Sequence, residues 1–204
     1  MRQVSKWCAR TAAVGTAWLL AAPGVAVADP AAAGLQPYSA RYQVSYRGLN
    51  GGEIESNFKR GSTAGQWQYE THVFPTLLAR VAISSQAHEL SVIQVTAAGV
   101  RPLSFNFDDG SADAAKDVKL NYDWKALTVT GSVEGKPVSL AISPGTHDTS
   151  SVQAAMIQEL LAGRKPQGFK IITSGKLREY RYWPEGTQQV MTPYGQVEAE
   201  VWAS

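Results

Sequence analysis

Cysteine is nearly missing from this chain: Cys8 is the only one in 204 residues. One thiol cannot close an internal disulfide, so whatever fold forms must be held by its core alone. Histidine is also scarce, with three in total, His72, His88 and His147. That leaves a zinc centre short of ligands unless carboxylates join, and no metal or cofactor is expected. No apolar run approaches the ~20 residues of a spanning helix. The longest, "TAAVGTAWLLAA", stops at Pro23 and Gly24. Large blocks of one charge are absent too, and the formal charge is only +2.

What is present at the start explains even that small excess. Arg2, Lys6 and Arg10 precede the apolar run, and Ala26-Val27-Ala28 follows it with small residues. This is the layout of a secretory signal peptide, residues 1–28, cleaved after Ala28. Without those three cations, 16 of the 19 basic residues face 17 acidic ones, a net charge of −1. A near-neutral mature chain gives no reason to expect nucleic acid as a partner. Cys8 leaves with the signal, and no membrane span is expected after cleavage. The expected location is periplasmic or secreted. Residues 29–36, "DPAAAGLQ", read as a flexible leader, and 37–204 as one domain.

From Tyr38 the pattern has a period of two, with Tyr38, Ala40, Tyr42, Val44 and Tyr46 alternating with polar residues. That is a strand with one buried face. Asn50-Gly51 then predicts a hairpin turn. Strand-length segments continue through Trp67–Val73, a long one at about 81–96, "VRPLSFNF", "KDVKLNYDW", "ALTVTGS", "EGKPVSLAI", "FKIITSG", "LREYRYW" and "QVEAEVW". Short turns separate them. The expected fold is mainly β, a curved antiparallel meander or open barrel packed around one buried helix. The chain stops inside an alternating pattern, so either a last strand that is cut short or one whose partner is missing is expected.

The helix is announced by "SPGTHDTSSVQAAMIQELLAG". Ser150 and Gln153 fit a capping box, Asp148 lies just outside it at the positive end of the dipole, and Gly163 with Pro166 closes the other end. Val152, Met156, Ile157, Leu160 and Leu161 form the arc expected to be buried. His147, Asp148 and the serines are also the residue types of a hydrolase triad. Adjacent histidine and aspartate side chains do not readily face each other, and no G-x-S-x-G turn presents a nucleophile. No catalytic residue is therefore assigned.

His72 and His88 would lie opposite one another in a hairpin centred near Arg80, the one arrangement able to put two imidazoles on one ion. A third ligand of known position is missing from that picture. "NFDDGSAD" reads as a hairpin turn, since it lacks the ligand spacing of a calcium loop. Tyr42, Tyr46, Tyr180 and Tyr182 can stack on sugars or line a lipid cavity, although strand aromatics ordinarily fill a core. "VFPTLLAR" carries Phe74, Leu77 and Leu78 in a connection that should be polar. The favoured reading is a plug folded into the open end of the sheet, and the other is a lid over an apolar cavity.

Four motifs occur here in one order: "GVRPLSFNFDDGS", "LNYDW", "SPGTHDTSSVQAAMIQELLAG", and "KLREYRYW" followed by "MTPYGQVEAEV". Together they resemble the exported bacterial domain-of-unknown-function family 3108, over about residues 37–202. The resemblance implies a member shortened at its C-terminus. A curved sheet around a helix is also similar, at the level of fold alone, to LolA/LolB-like half-barrels. The expected function is a non-catalytic binding or envelope-maintenance module with an apolar or glycan ligand. The alternatives are a hydrolase using carboxylates or His147, and a scaffold whose free strand edges pair with a protein partner.

Overall fold

The computed structural model describes residues 34–204 except 82, 83, 85, 97 and 112–115, and leaves the side chains of Tyr46 and Val81 undescribed. The signal peptide and its cleavage site lie outside the described residues. Eight strands follow one another as an antiparallel meander: β1 Tyr38–Tyr46, β2 Leu49–Arg60, β3 Gln66–Pro75, β4 His88–Thr96, β5 Gly99–Asp108, β6 Val118–Asp123, β7 Thr128–Val133 and β8 Lys136–Ala141. They form one open sheet in chain order, so the mainly β expectation holds and the sheet does not close into a barrel. A two-residue strand, β9 Thr146–His147, leads into α1 Ser151–Leu161. Then come β10 Gly168–Thr173, β11 Lys176–Arg181, β12 Trp183–Thr192 and β13 Gly195–Ala203. β9 pairs with β10 in parallel, the exception to the antiparallel rule, because α1 serves as the crossover between them.

Two local expectations move. The first hairpin turns at Arg47-Gly48, not at Asn50-Gly51: Tyr46 pairs with Leu49, and Arg47 and Gly48 both have positive φ, 50° and 79°. A two-residue loop with two left-handed residues matches the twist of its strands. Asn50-Gly51 falls inside β2, where the register slips by one residue opposite Val44/Ser45, making a bulge. The long strand expected from 81 is shorter, since Ala79–Val81 is a 3-10 turn and pairing begins at His88.

Alternation puts Phe58, Trp67, Tyr69, Ile93 and Val95 on one face, where they meet Ala154 and Ala155 of α1. Trp67 has no exposed surface and stacks on Phe58 at 4.7 Å. Leu35, only 2% exposed, belongs to this core, so ordered packing starts inside the segment expected to be a flexible leader. A second core joins Phe105, Leu120, Tyr122, Val129, Ile142 and Ile172.

The helix is less buried than its apolar arc suggested. Its closed face is Ser151, Val152, Ala154 and Ala155, while Leu161 is 57% exposed. Small residues let the helix sit close to the sheet, and the larger Met156, Ile157 and Leu160 are left at the margin. Among the described residues, no helix is long and apolar enough to cross a membrane.

Candidate functional site

The entry to α1 is built two residues earlier than the sequence suggested. Ser150 has helical dihedrals and makes no side-chain cap bond. Asp148 is the cap: its carbonyl accepts the first helical bond from Val152 N–H at 3.2 Å. Its Oδ1 accepts from the N–H groups of Ser150 and Ser151 at 3.0 and 2.7 Å. Asp148 N–H in turn donates to Ser151 Oγ at 2.9 Å, closing a reciprocal Asp148–Ser151 box in place of Ser150–Gln153. A buried carboxylate satisfies more orphan donors than a serine hydroxyl can, which is why it displaces the expected cap. Gln153 is exposed. Gly163, by contrast, closes the helix as expected. Its φ is +69°, its N–H donates to Leu160 O and that of Arg164 to Glu159 O, the paired bonds of a Schellman end.

Asp148 is fully buried, and its other oxygen accepts from Ser91 Oγ at 2.9 Å. Burial pushes the carboxyl up to about 6, against the pull of the hydrogen bonds from Ser151, Ser91 and Ser150. Burial, and then the Asp148 charge, likewise drives the Tyr122 phenol far above its usual range. Ser150 Oγ donates to Glu89 Oε2 at 2.7 Å, a second serine–carboxylate bond tying α1 to β4. No imidazole enters either pair. The His147 ring points elsewhere and meets Phe169 edge to face at 5.4 Å. Burial pushes His147 down to about 4, so it is neutral over the ordinary range of pH. Histidine, aspartate and serines are therefore neighbours in sequence without forming a triad, and the bonds of Asp148, Ser150 and Ser151 hold the start of the helix.

His147 is 3% exposed, and its Nδ1 has no hydrogen-bond partner among the described residues. It lines a cleft of about 720 Å³ between the start of β5, the second half of α1 and the β9–β10–β11 sheet. Val100, Ala155 and Phe169 give apolar floor, and Arg101, Gln158, Lys170, Glu179 and Arg181 bring polar groups around it. Lys170 Nζ donates to Ser143 Oγ at 2.9 Å, and the Arg101 guanidinium lies 5.6 Å from the Trp124 ring centre. Long polar side chains around an aromatic floor suit a hydroxylated ligand, because ring faces stack and amides or guanidinium groups reach outward.

The candidate residues read from sequence do not converge on this cleft. Tyr42 lines a smaller pocket with Ser56, Tyr69, Glu89 and Ser150 at the helix N-terminus. Tyr180 lies opposite Phe169 in the β10–β11 ladder, and Tyr182 packs on Phe169 at 5.7 Å, one ring removed from His147. Tyr182 also borders an apolar groove with Val152, Met156, Ile157, Leu160 and Trp202. Tyr46 lies on β1, and its side chain is outside the described set. Phe74, Leu77 and Leu78 overturn the favoured plug: Leu77 is 80% and Leu78 84% exposed, and Phe74 is half-exposed. The β3 strand ends at Pro75, and Thr76 N–H bonds Gly51 O, which holds the connection on the rim of the sheet.

The cleft residues that sequence reading passed over are Arg101, Gln158, Phe169, Lys170 and Arg181. Parity along β10 places Phe169 and Ile171 on one face, but nothing local indicates that β9 and α1 will stand opposite. Comparison with curated proteins and with solved structures returned no match. A family profile described as "Protein of unknown function (DUF3108)" matches residues 41–203. The order of motifs along the strands and helix thus has its counterpart in a match over most of the chain, which belongs to the DUF3108 family.

Proposed function

We propose that this protein is an exported, non-catalytic binding module that takes a glycan-type ligand in the cleft between α1, β5 and β10. The observation that carries the reading is the cleft itself: about 720 Å³, an aromatic floor of Phe169 against the buried His147, and polar side chains around it. Export rests on the charge, apolar run and small residues of 1–28, and intact mass of the secreted form, starting at Asp29, tests it. Binding is tested by titrating neutral and acidic oligosaccharides while following tryptophan fluorescence, since Trp124 contacts the Arg101 guanidinium of the cleft. Phe169→Ala should abolish a saturable response that Leu77→Ser leaves intact. A response that survives Phe169→Ala places the ligand elsewhere.

A second reading has its own support. The groove of Val152, Met156, Ile157 and Leu160 with Tyr182 and Trp202 is apolar and lies along the helix, the shape an acyl chain would occupy. A fluorescent fatty acid displaced by Met156→Glu, with saccharides inert, would favour it.

A further inference from the structure

We propose that the face of the large sheet turned away from α1 carries a binding site for a divalent transition-metal cation, held between His72 and His88 with Asp108 as the third ligand. The three residues stand in one cross-strand row: His72 on β3 lies opposite His88 on β4, and His88 lies opposite Asp108 on β5. Parity places them on the outer face, since Trp67 and Tyr69 of β3 and Ser91 and Ile93 of β4 point inward.

Val73 N–H donates to Ala87 O at 3.3 Å, which makes that pair hydrogen-bonded and the next one, His72 with His88, non-hydrogen-bonded. Side chains come closest at such pairs. The two rings face each other at 5.9 Å with planes 15° apart. Two imidazoles on one tetrahedral ion, each nitrogen about 2.0–2.1 Å from it, have ring centres roughly 5 Å apart. Rotation of two partly exposed rings closes the difference.

Each ring already has one nitrogen directed at an acceptor. His72 Nε2 lies 3.3 Å from Glu70 Oε1, and His88 Nδ1 lies 3.4 Å from Gln86 O. With N–H donated there, the lone pair is left on the other nitrogen, the arrangement that orients metal-binding histidines. Asp108 is the carboxylate beside His88 in the row, and the two line the same shallow pocket. Its oxygens lie with those of Asp109 and Asp117, within 4.8 Å of one another, so holding the ion takes a rotation of the Asp108 side chain toward His88. Imidazoles with a carboxylate select zinc, nickel or copper over calcium and magnesium.

Calorimetric titration of the full chain with Zn²⁺ and with Ni²⁺ tests this. One ion per chain is expected. His72→Ala and His88→Ala should each weaken binding on the order of tenfold or more, Asp108→Asn by about tenfold, and His147→Ala not at all. Because the two histidines are partly exposed, circular dichroism should show these variants folded. Ni²⁺ should also broaden the His72 and His88 imidazole resonances of the wild-type chain before any others, a readout that needs no variant. A chain that binds neither ion, binding that survives His72→Ala/His88→Ala, or binding lost only in Asp109→Asn/Asp117→Asn overturns the proposal.

Discussion

Asp148→Asn should make the protein acid-sensitive, because it removes one of two opposing titrations that lie side by side. Asp148, raised from 3.8 to about 6 by burial, favours the folded state when protonated. Its contribution is complete below the unfolded value and is lost as pH rises through the folded one. His147, lowered from 6.5 to about 4 by burial, does the reverse, and its contribution is present above 6.5 and lost as pH falls toward 4. At 1.36 kcal/mol per unit, each is worth about 3 kcal/mol. Between pH 4 and 6.5 the two slopes oppose each other and nearly cancel in the wild-type chain. The asparagine keeps an oxygen for the Ser150 and Ser151 N–H groups and offers an amide to Ser91 Oγ, so the helix cap survives. Urea unfolding from pH 4 to 7.5, followed by tryptophan fluorescence, should show Asp148→Asn losing about 3 kcal/mol more than wild type on acidification. Its difference from wild type excludes the exposed carboxylates common to both. His147→Gln should show the opposite trend, gaining stability relative to wild type as pH falls. Parallel profiles for wild type and Asp148→Asn would refute the reasoning.

Three further outcomes follow from burial and bonding. Leu77→Ser/Leu78→Ser should lower stability by under about 1 kcal/mol, because both side chains are already in water; a loss of several kcal/mol by urea unfolding would restore the plug. Ser150→Ala should cost about 1 kcal/mol through its bond to Glu89, whereas Gln153→Ala should be neutral by thermal melting, since the capping box is Asp148–Ser151. An equal loss in both would return the box to Ser150–Gln153. Trp67→Ala should cost about 3–5 kcal/mol in chemical denaturation, as a fully enclosed ring stacked on Phe58 leaves a large cavity.

The sequence by itself determined most of the strands, their order and the inward face of β3, whereas the β1 face read as buried lies largely in solvent, with Tyr42 53% exposed. Period-two alternation is a local property of the pleat, and it assigned Tyr38–Val44 and Trp67–Val73 to strands before any partner was known. It also placed the helix and its Gly163 end, where backbone chemistry within a few residues decides the outcome. Even the His72–His88 juxtaposition was legible, because hairpin register follows from a single centre of symmetry near Arg80. Tertiary structure decided what depends on distant neighbours. Asp148 replaced Ser150 as the cap because Ser91, 57 residues away, helps to satisfy a buried carboxylate. Leu77 and Leu78 stayed outside because Gly51 and Asn50 hold Thr76 on the rim. The cleft drew Arg101, His147, Gln158 and Phe169 from four separate elements, and Asp108 came to lie beside the histidine pair only because β5 pairs with β4. Burial and electrostatics there are set by contacts across the chain, which no local periodicity encodes.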